Sequence, residues 1–191
     1  MKYEKILSKT KLQHGKYTLI PIRKQDIQKI RKWRNDQMDI LRQNKILTKL
    51  EQEDYFKKII KRTFQENKPN CILFSFLLND ECIGYGGFVH IDWFLKRSEI
   101  SFLNETNRAQ NQETYKTDYS IFLKIILQIA FEQLCLNRIF TETFAFRKNT
   151  SKLLEKFGFR LEGRLKNHVM VKGNYFDSLI HGFLKQYYKK L

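Results

Sequence analysis

Two side chains whose types move protons fall close together in this sequence. Glu99 lies in the strand-like segment Ser98–Asn104 and His90 in the neighbouring segment Glu81–Asp92. A partly buried carboxylate, or an imidazole, takes a proton from a substrate group near neutral pH. Each also has a plain structural use: Glu99 pairing with Arg97, Arg164 or a neighbour, His90 hydrogen-bonded at the rim of a core. His168 and His181 belong to the last hairpin, and His14 to the N-terminal segment. Phe88, Trp93 and Phe94 could stack on a sugar or a base, but aromatic residues at a strand end are usually core. Cys71, Cys82 and Cys135 make an odd count without paired spacing, so neither a disulfide framework nor a metal site is expected.

The elements that must position these residues are read from periodicity. Tyr17–Ile22 alternates and ends near Pro21, the pattern of an edge strand. Ile27, Ile30 and Trp33 share one helix face, and a second helix runs from about Glu51 to Gln65 before Lys68-Pro69-Asn70 breaks it. Strands Ile72–Leu78, Glu81–Asp92 and Ser98–Asn104 follow, the first two joined at Asn79-Asp80. After the polar segment from Glu105 to Gln112 comes the longest helix, about Glu113 to Leu134, with Tyr115, Tyr119, Phe122, Ile126 and Ile129 on its buried stripe. Strand Arg138–Phe146, helix Thr150–Phe157 closed by Gly158, and a hairpin turning at Gly173-Asn174 complete the chain. A helix between two strands implies one parallel pair. The expected fold is a mixed α/β, mostly antiparallel twisted sheet with one parallel strand pair and helices on both faces. Residues 1–15 are expected to be an N-terminal extension and residues 16–191 a single domain.

The chain of 191 residues carries 36 Lys and Arg against 20 Asp and Glu, a formal charge of +16. Such a balance attracts polyanions. The excess is spread along the chain, however, and 25 of the 36 basic residues are lysine, which suits a solvated basic surface better than a nucleic-acid footprint. No apolar run approaches the roughly 20 residues of a membrane span, and the first residues lack a signal-peptide core, so a cytoplasmic protein is expected.

Seven short motifs stand in one order: Trp33-Arg34-Asn35-Asp36, Ile83-Gly84-Tyr85-Gly86-Gly87, Ser98-Glu99-Ile100-Ser101-Phe102, Leu136-Asn137-Arg138-Ile139, Leu153 to Phe159, Glu162-Gly163-Arg164-Leu165 and Gly173 to Asp177. In that order, from Tyr17 to Leu184, the sequence resembles the GNAT superfamily of acyl-CoA N-acyltransferases. The branch it looks most like contains ribosomal-protein N-terminal acetyltransferases and amino-sugar N-acetyltransferases. The resemblance implies direct attack of an amine on acetyl-CoA in a ternary complex, with no metal and a frequent tendency to homodimerise. It makes Glu99 the preferred base and His90 the second candidate. The oxyanion site falls on backbone N–H groups around Phe102, Leu103 and Asn104. The cofactor pyrophosphate falls on the helix start formed by Thr114, Tyr115, Lys116, Thr117, Asp118 and Tyr119. The family's Gln/Arg-x-x-Gly-x-Gly/Ala positions fall there on Thr114, Thr117 and Tyr119, none of them glycine, and the preceding loop is about four residues longer than usual. Arg147 and Asn149 are the counterparts of an asparagine that touches the pantetheine arm. Trp33, Arg34 and Asn35 line the acceptor pocket. The tyrosine that protonates the departing thiolate in many members is Leu154 here, with Tyr115 and Tyr119 as stand-ins. The acceptor is expected to be a small-molecule amine or amino sugar. The alternatives are a protein N-terminus, or a non-catalytic module binding RNA or an acidic partner.

Overall fold

The run Ile72–Leu78 offers the sheet seven residues of which all but the last are buried, so it belongs at the centre of a covered sheet. The computed structural model, which describes residues 2–189, places it there. The eight strands are β1 (Leu12–His14), β2 (Tyr17–Pro21), β3 (Ile72–Leu78), β4 (Glu81–Asp92), β5 (Arg97–Asn104), β6 (Arg138–Phe144), β7 (Arg160–Val171) and β8 (Asn174–Leu184), in sheet order β1-β2-β3-β4-β5-β6-β8-β7. Among the described residues, only β5 and β6 are parallel. The helical connection between them supplies the crossover that a parallel pair requires. It consists of α4 (Thr106–Gln110), α5 (Gln112–Gln128) and a π turn at Ile129–Gln133. Earlier in the chain, α1 (Ile27–Asp36) is followed by a helical run made of α2 (Lys49–Tyr55), a π turn at Phe56–Ile60 and α3 (Lys61–Thr63). Between β6 and β7 stands α6 (Lys148–Lys156).

Helices cover both faces. α5 packs on one through Phe122, whose ring centroid lies 4.4 Å from that of Phe102 on β5 and 5.8 Å from that of Phe76 on β3. Ile30 of α1, with Phe56 and Ile60, covers the other around Leu73 and Tyr85. The glycines of Gly84-Tyr85-Gly86-Gly87 are structural here. Gly87 has φ +151°, and a β-carbon on it would stand 2.0 Å from the Ile72 carbonyl oxygen, so the strands close only around glycine.

The N-terminal segment differs from expectation, because residues 2–14 are built into the domain. Tyr3 is fully buried; its hydroxyl accepts from Leu73 N at 3.1 Å and contacts Thr63 Oγ1 at 3.2 Å. His14 is the end of β1, paired with Tyr17. The last hairpin turns one residue earlier than the Gly173-Asn174 signal suggests: Lys172 and Gly173, both with positive φ, make the turn, and Asn174 already pairs with Val171. The stretch 106–110 of the polar segment folds as α4 rather than as a loop.

His181 is fully buried between the sheet and α6, and neither ring nitrogen has a hydrogen-bond partner. Burial holds its pKa below the ordinary 6.5, against the opposing pull of Glu155 and Glu162. The neutral ring is therefore the folded form. Its stabilising contribution is complete above about pH 6.5, the unfolded value, and is lost as pH falls below that through the lowered folded value. Thermal midpoints measured from pH 7.5 to 5 should fall less steeply for His181→Leu than for the wild type; equal slopes would remove His181 from the acid response.

Candidate active site

The β5–β6 ladder holds for three pairs, Arg97↔Arg138, Ser98↔Ile139 and Glu99↔Phe140. Beyond them β5 continues along β4 to Asn104 and β6 along β8 to Phe144, leaving a V-shaped gap in the sheet. Register decides which backbone groups face it. Glu105 N–H donates to Ile83 O at 2.8 Å, so by alternation Leu103 and Ser101 give their backbone groups to β4. Ile100 and Phe102 then turn theirs toward β6, where the Ile100 N–H completes the last rung of the ladder on Phe140 and Phe102 faces the gap. Asn104 uses its carbonyl to accept from Gln37 Nε2 at 2.9 Å, a side chain filling the place of a strand partner.

Glu99 stands at the apex of the V, its side chain only 6% exposed. One oxygen accepts from His90 Nδ1 at 2.9 Å; the other accepts from Arg42 Nη2. Arg42 reaches across the apex to Glu142 Oε2 at 3.1 Å, and Glu142 also accepts from Ser178 Oγ at 2.8 Å. His168 Nε2 lies 3.7 Å from the same carboxylate. A carboxylate at Glu99 only accepts, so His90 Nδ1 is the donor of that bond, on a ring whose side chain is 69% exposed. The alternatives Arg97 and Arg164 are engaged elsewhere, with Asp92 and Asp177. The sequence singles out Glu99 and His90, which the structure brings together, but not Arg42 and Glu142: Arg42 lies in an irregular segment with no periodicity to place it.

A cleft of about 830 Å³ opens where the V widens, between the start of α5 and α6. Lys116, Arg147, Lys148, Lys152 and Lys156 line it against Asp36, Asp39 and Glu113, an excess of positive charge suited to phosphates. Asn149 and Tyr115 also line it. The Tyr115 hydroxyl oxygen accepts from Arg147 Nη2 at 3.0 Å and from Thr150 Oγ1 at 3.4 Å, so its own proton is uncommitted. At the α5 terminus Asn111 Oδ1 caps Thr114 N at 3.0 Å, whereas α6 begins with no capping side chain and its first N–H groups lack that competitor. These donors fit the diphosphate and ribose phosphate of a CoA ester.

The remaining expected residues lie elsewhere. Thr114 is half-buried and Thr117 exposed, and neither lines the cleft. Asp118 is fully buried and accepts from Arg108 Nε and Nη2, Asn104 Nδ2 and Tyr17 Oη, which makes it a strut between α5 and the sheet. Tyr119 is a core residue stacked on Phe102, with centroids 4.9 Å apart, and burial raises its pKa. Leu103 is buried and its backbone serves β4, while Leu154 is fully inside the core.

On the α1 side of β5 a second pocket of about 270 Å³ is lined by Arg34, Leu47, Tyr55, Tyr85 and Ser101 among others. Arg34 donates to Tyr85 Oη at 2.8 Å and to Gln43. Trp33 is core instead. Asn35 clamps the backbone of Leu47, donating to its carbonyl and accepting from its N–H at 2.9 Å each, and so pins the irregular segment 41–48 over this pocket.

The sequence profile of the acetyltransferase (GNAT) domain matches residues 19–180. The chain belongs to the GNAT acetyltransferase family. This confirms the superfamily and its mixed α/β fold. Residues of the chain are 29% identical over 62 positions to the SPbeta prophage-derived uncharacterized N-acetyltransferase YokL of Bacillus subtilis (strain 168); the match spans 35% of that relative and 32% of this chain. The fold is also that of spermidine N-acetyltransferase from Vibrio cholerae, solved with CoA and spermine, at TM-score 0.79 and 19% identity, covering 91% of this chain and 98% of that one. A dodecameric structure of the same Vibrio enzyme aligns at TM-score 0.74 and 18% identity, over 91% and 96% of the two chains. Among the described residues, no helix of this GNAT chain is long and apolar enough to cross a membrane.

Proposed function

We propose that the protein transfers the acetyl group of acetyl-CoA to the primary amine of a small molecule by direct attack. The observation that carries this reading is the placement of Glu99 at the apex of the V, on a strand bordering both the basic cleft and the smaller pocket. Thr106, just past β5, lines the cleft, and Ser101 on β5 lines the pocket. A volume of about 270 Å³ suits a small amine better than a folded protein's N-terminus. The polyamine substrates named for the Vibrio enzyme support the same class of acceptor.

When bound, acetyl-CoA supplies an activated thioester carbonyl. Lys116, Arg147, Lys148, Lys152 and the start of α6 hold its phosphates. The N–H group of Phe102, turned into the gap, donates to the carbonyl oxygen as it gains charge. Glu99 and His90 take up the amine's proton as one hydrogen-bonded unit. Tyr115 gives its free hydroxyl proton to the departing sulfur. It takes over from α5 the task for which α6 offers only the buried Leu154.

Calorimetric titration tests the reading. Acetyl-CoA should bind with micromolar affinity and CoA with a similar one, and ATP should not match either. No binding, or equal binding of ATP, would mean that the cleft recognises phosphates without the pantetheine arm and that the acetyltransferase reading fails.

A further inference from the structure

Glu99 and Glu142 are two carboxylates with side chains 6% and 10% exposed, facing one guanidinium. Burial of two like charges side by side demands a cation between them. Arg42 provides it, yet Arg42 is the exposed member of the cluster, its side chain 49% accessible, and it comes from the irregular segment 41–48. The other partners of the carboxylates are fixed in strands. His90 on β4 meets Glu99, and Ser178 on β8 and His168 on β7 meet Glu142. The two anions are thus built into the sheet, and the cation is lent by a loop. An acceptor amine must bring its ammonium to Glu99 before it can lose a proton. With Glu99 this deeply buried, the open way to its oxygens is the space that Arg42 fills.

We propose that Arg42 is a tethered stand-in for the acceptor: the substrate's primary alkylammonium binds between Glu99 and Glu142 by displacing the Arg42 guanidinium. This rests on the acetyltransferase reading above and names its acceptor subsite. Both cations suit the pair, because an ammonium has three donors and can address both carboxylates while its alkyl chain leaves along the α1 side of β5. The outgoing guanidinium is half-exposed already and moves into water with little further solvation to gain or lose. Glu142 becomes a specificity residue, selecting acceptors that arrive as cations, and Arg42 sets the apparent affinity by competing with them.

The probe is 1,4-diaminobutane. If Arg42 occupies the site nine-tenths of the time or more, removing it should tighten diamine binding by about tenfold or more. Calorimetry of Arg42→Gln is expected to show that gain, with Arg42→Lys close to wild type and Arg42→Gln/Glu142→Gln losing it. Unchanged or weaker binding to Arg42→Gln, or no diamine binding to any variant, overturns the proposal. Should Arg42→Gln not fold, the wild-type protein decides. The Arg42 Nε–H resonance should move to the free-arginine position on saturation with the diamine, and a resonance that stays put overturns the proposal. Acetyl-CoA titration of the same samples keeps the two readings apart: a protein that binds the diamine competitively with Arg42 but not acetyl-CoA upholds the subsite and refutes the transferase.

Discussion

Glu99→Gln is expected to lower kcat by about 10²-fold or more while leaving acetyl-CoA affinity unchanged. The substitution keeps the volume at the apex, but an amide has one accepting oxygen where the carboxylate has two. In the native site both oxygens accept, one from His90 Nδ1 at 2.9 Å and one from Arg42. In the variant the amide nitrogen must face one of these donors, so either His90 or Arg42 loses its hold, and the negative charge that draws the amine's proton is gone. His90→Gln separates the members of the pair. If the proton is shared, this variant falls too, by about tenfold, since the exposed ring is then part of the acceptor unit. Wild-type kinetics for His90→Gln would leave Glu99 acting alone, and wild-type kinetics for Glu99→Gln would remove the pair from the chemistry. The cofactor cleft lies at the other end of the gap, so a fall in acetyl-CoA affinity would point to disruption of the sheet rather than to lost chemistry.

The sequence made most of the fold legible because periodicity and turn residues agree along β3, β4 and α5. The apolar run of β3, broken by Ser75, and the Asn79-Asp80 turn, both residues at positive φ, leave few alternatives for the central hairpin. The N-terminal segment was opaque for the opposite reason. Tyr3, Leu7 and Leu12 are too sparse to form a pattern, and their burial depends on partners such as Phe64 and Leu73 that are far away in sequence. The site divides in the same way. Glu99 and His90 could be found because they sit on recognisable strands. Arg42 could not, since only tertiary packing brings an irregular loop 57 residues from Glu99 onto its carboxylate. At the start of α5, the expected run is split: Tyr115 and Lys116 line the cleft, and Thr114 and Thr117 do not. The positively charged lining of the cleft comes largely from α6, and part of the α5 run is turned inward.

Asp118 shows this inversion most sharply, and its replacement should have the largest effect on stability. Spacing put it in the cofactor loop, yet it is fully buried and accepts four hydrogen bonds: from Arg108 Nε and Nη2 at 2.7 and 2.8 Å, Asn104 Nδ2 at 2.7 Å and Tyr17 Oη at 3.1 Å. The partners come from α4, β5 and β2, so this one carboxylate ties the end of β5 and the entry to α5 back onto the sheet. Breaking a buried ion pair by removing one partner leaves the other uncompensated and costs about 3–5 kcal/mol. Arg108 is partly solvated, with its side chain 24% exposed, which places Asp118→Asn near the lower end of that range, about 3 kcal/mol. Urea unfolding should show this as a lower midpoint at unchanged slope. Adding Arg108→Ala to the variant should then destabilise little further, because the charge it neutralised is already absent. A loss below about 1 kcal/mol would mean that water or neighbouring dipoles already satisfy Arg108 and that the strut is dispensable. Acetyl-CoA affinity decides between the two roles: a folded Asp118→Asn protein with wild-type affinity is a weakened scaffold around an intact cleft, whereas a selective loss of affinity at wild-type stability would return Asp118 to the cofactor site.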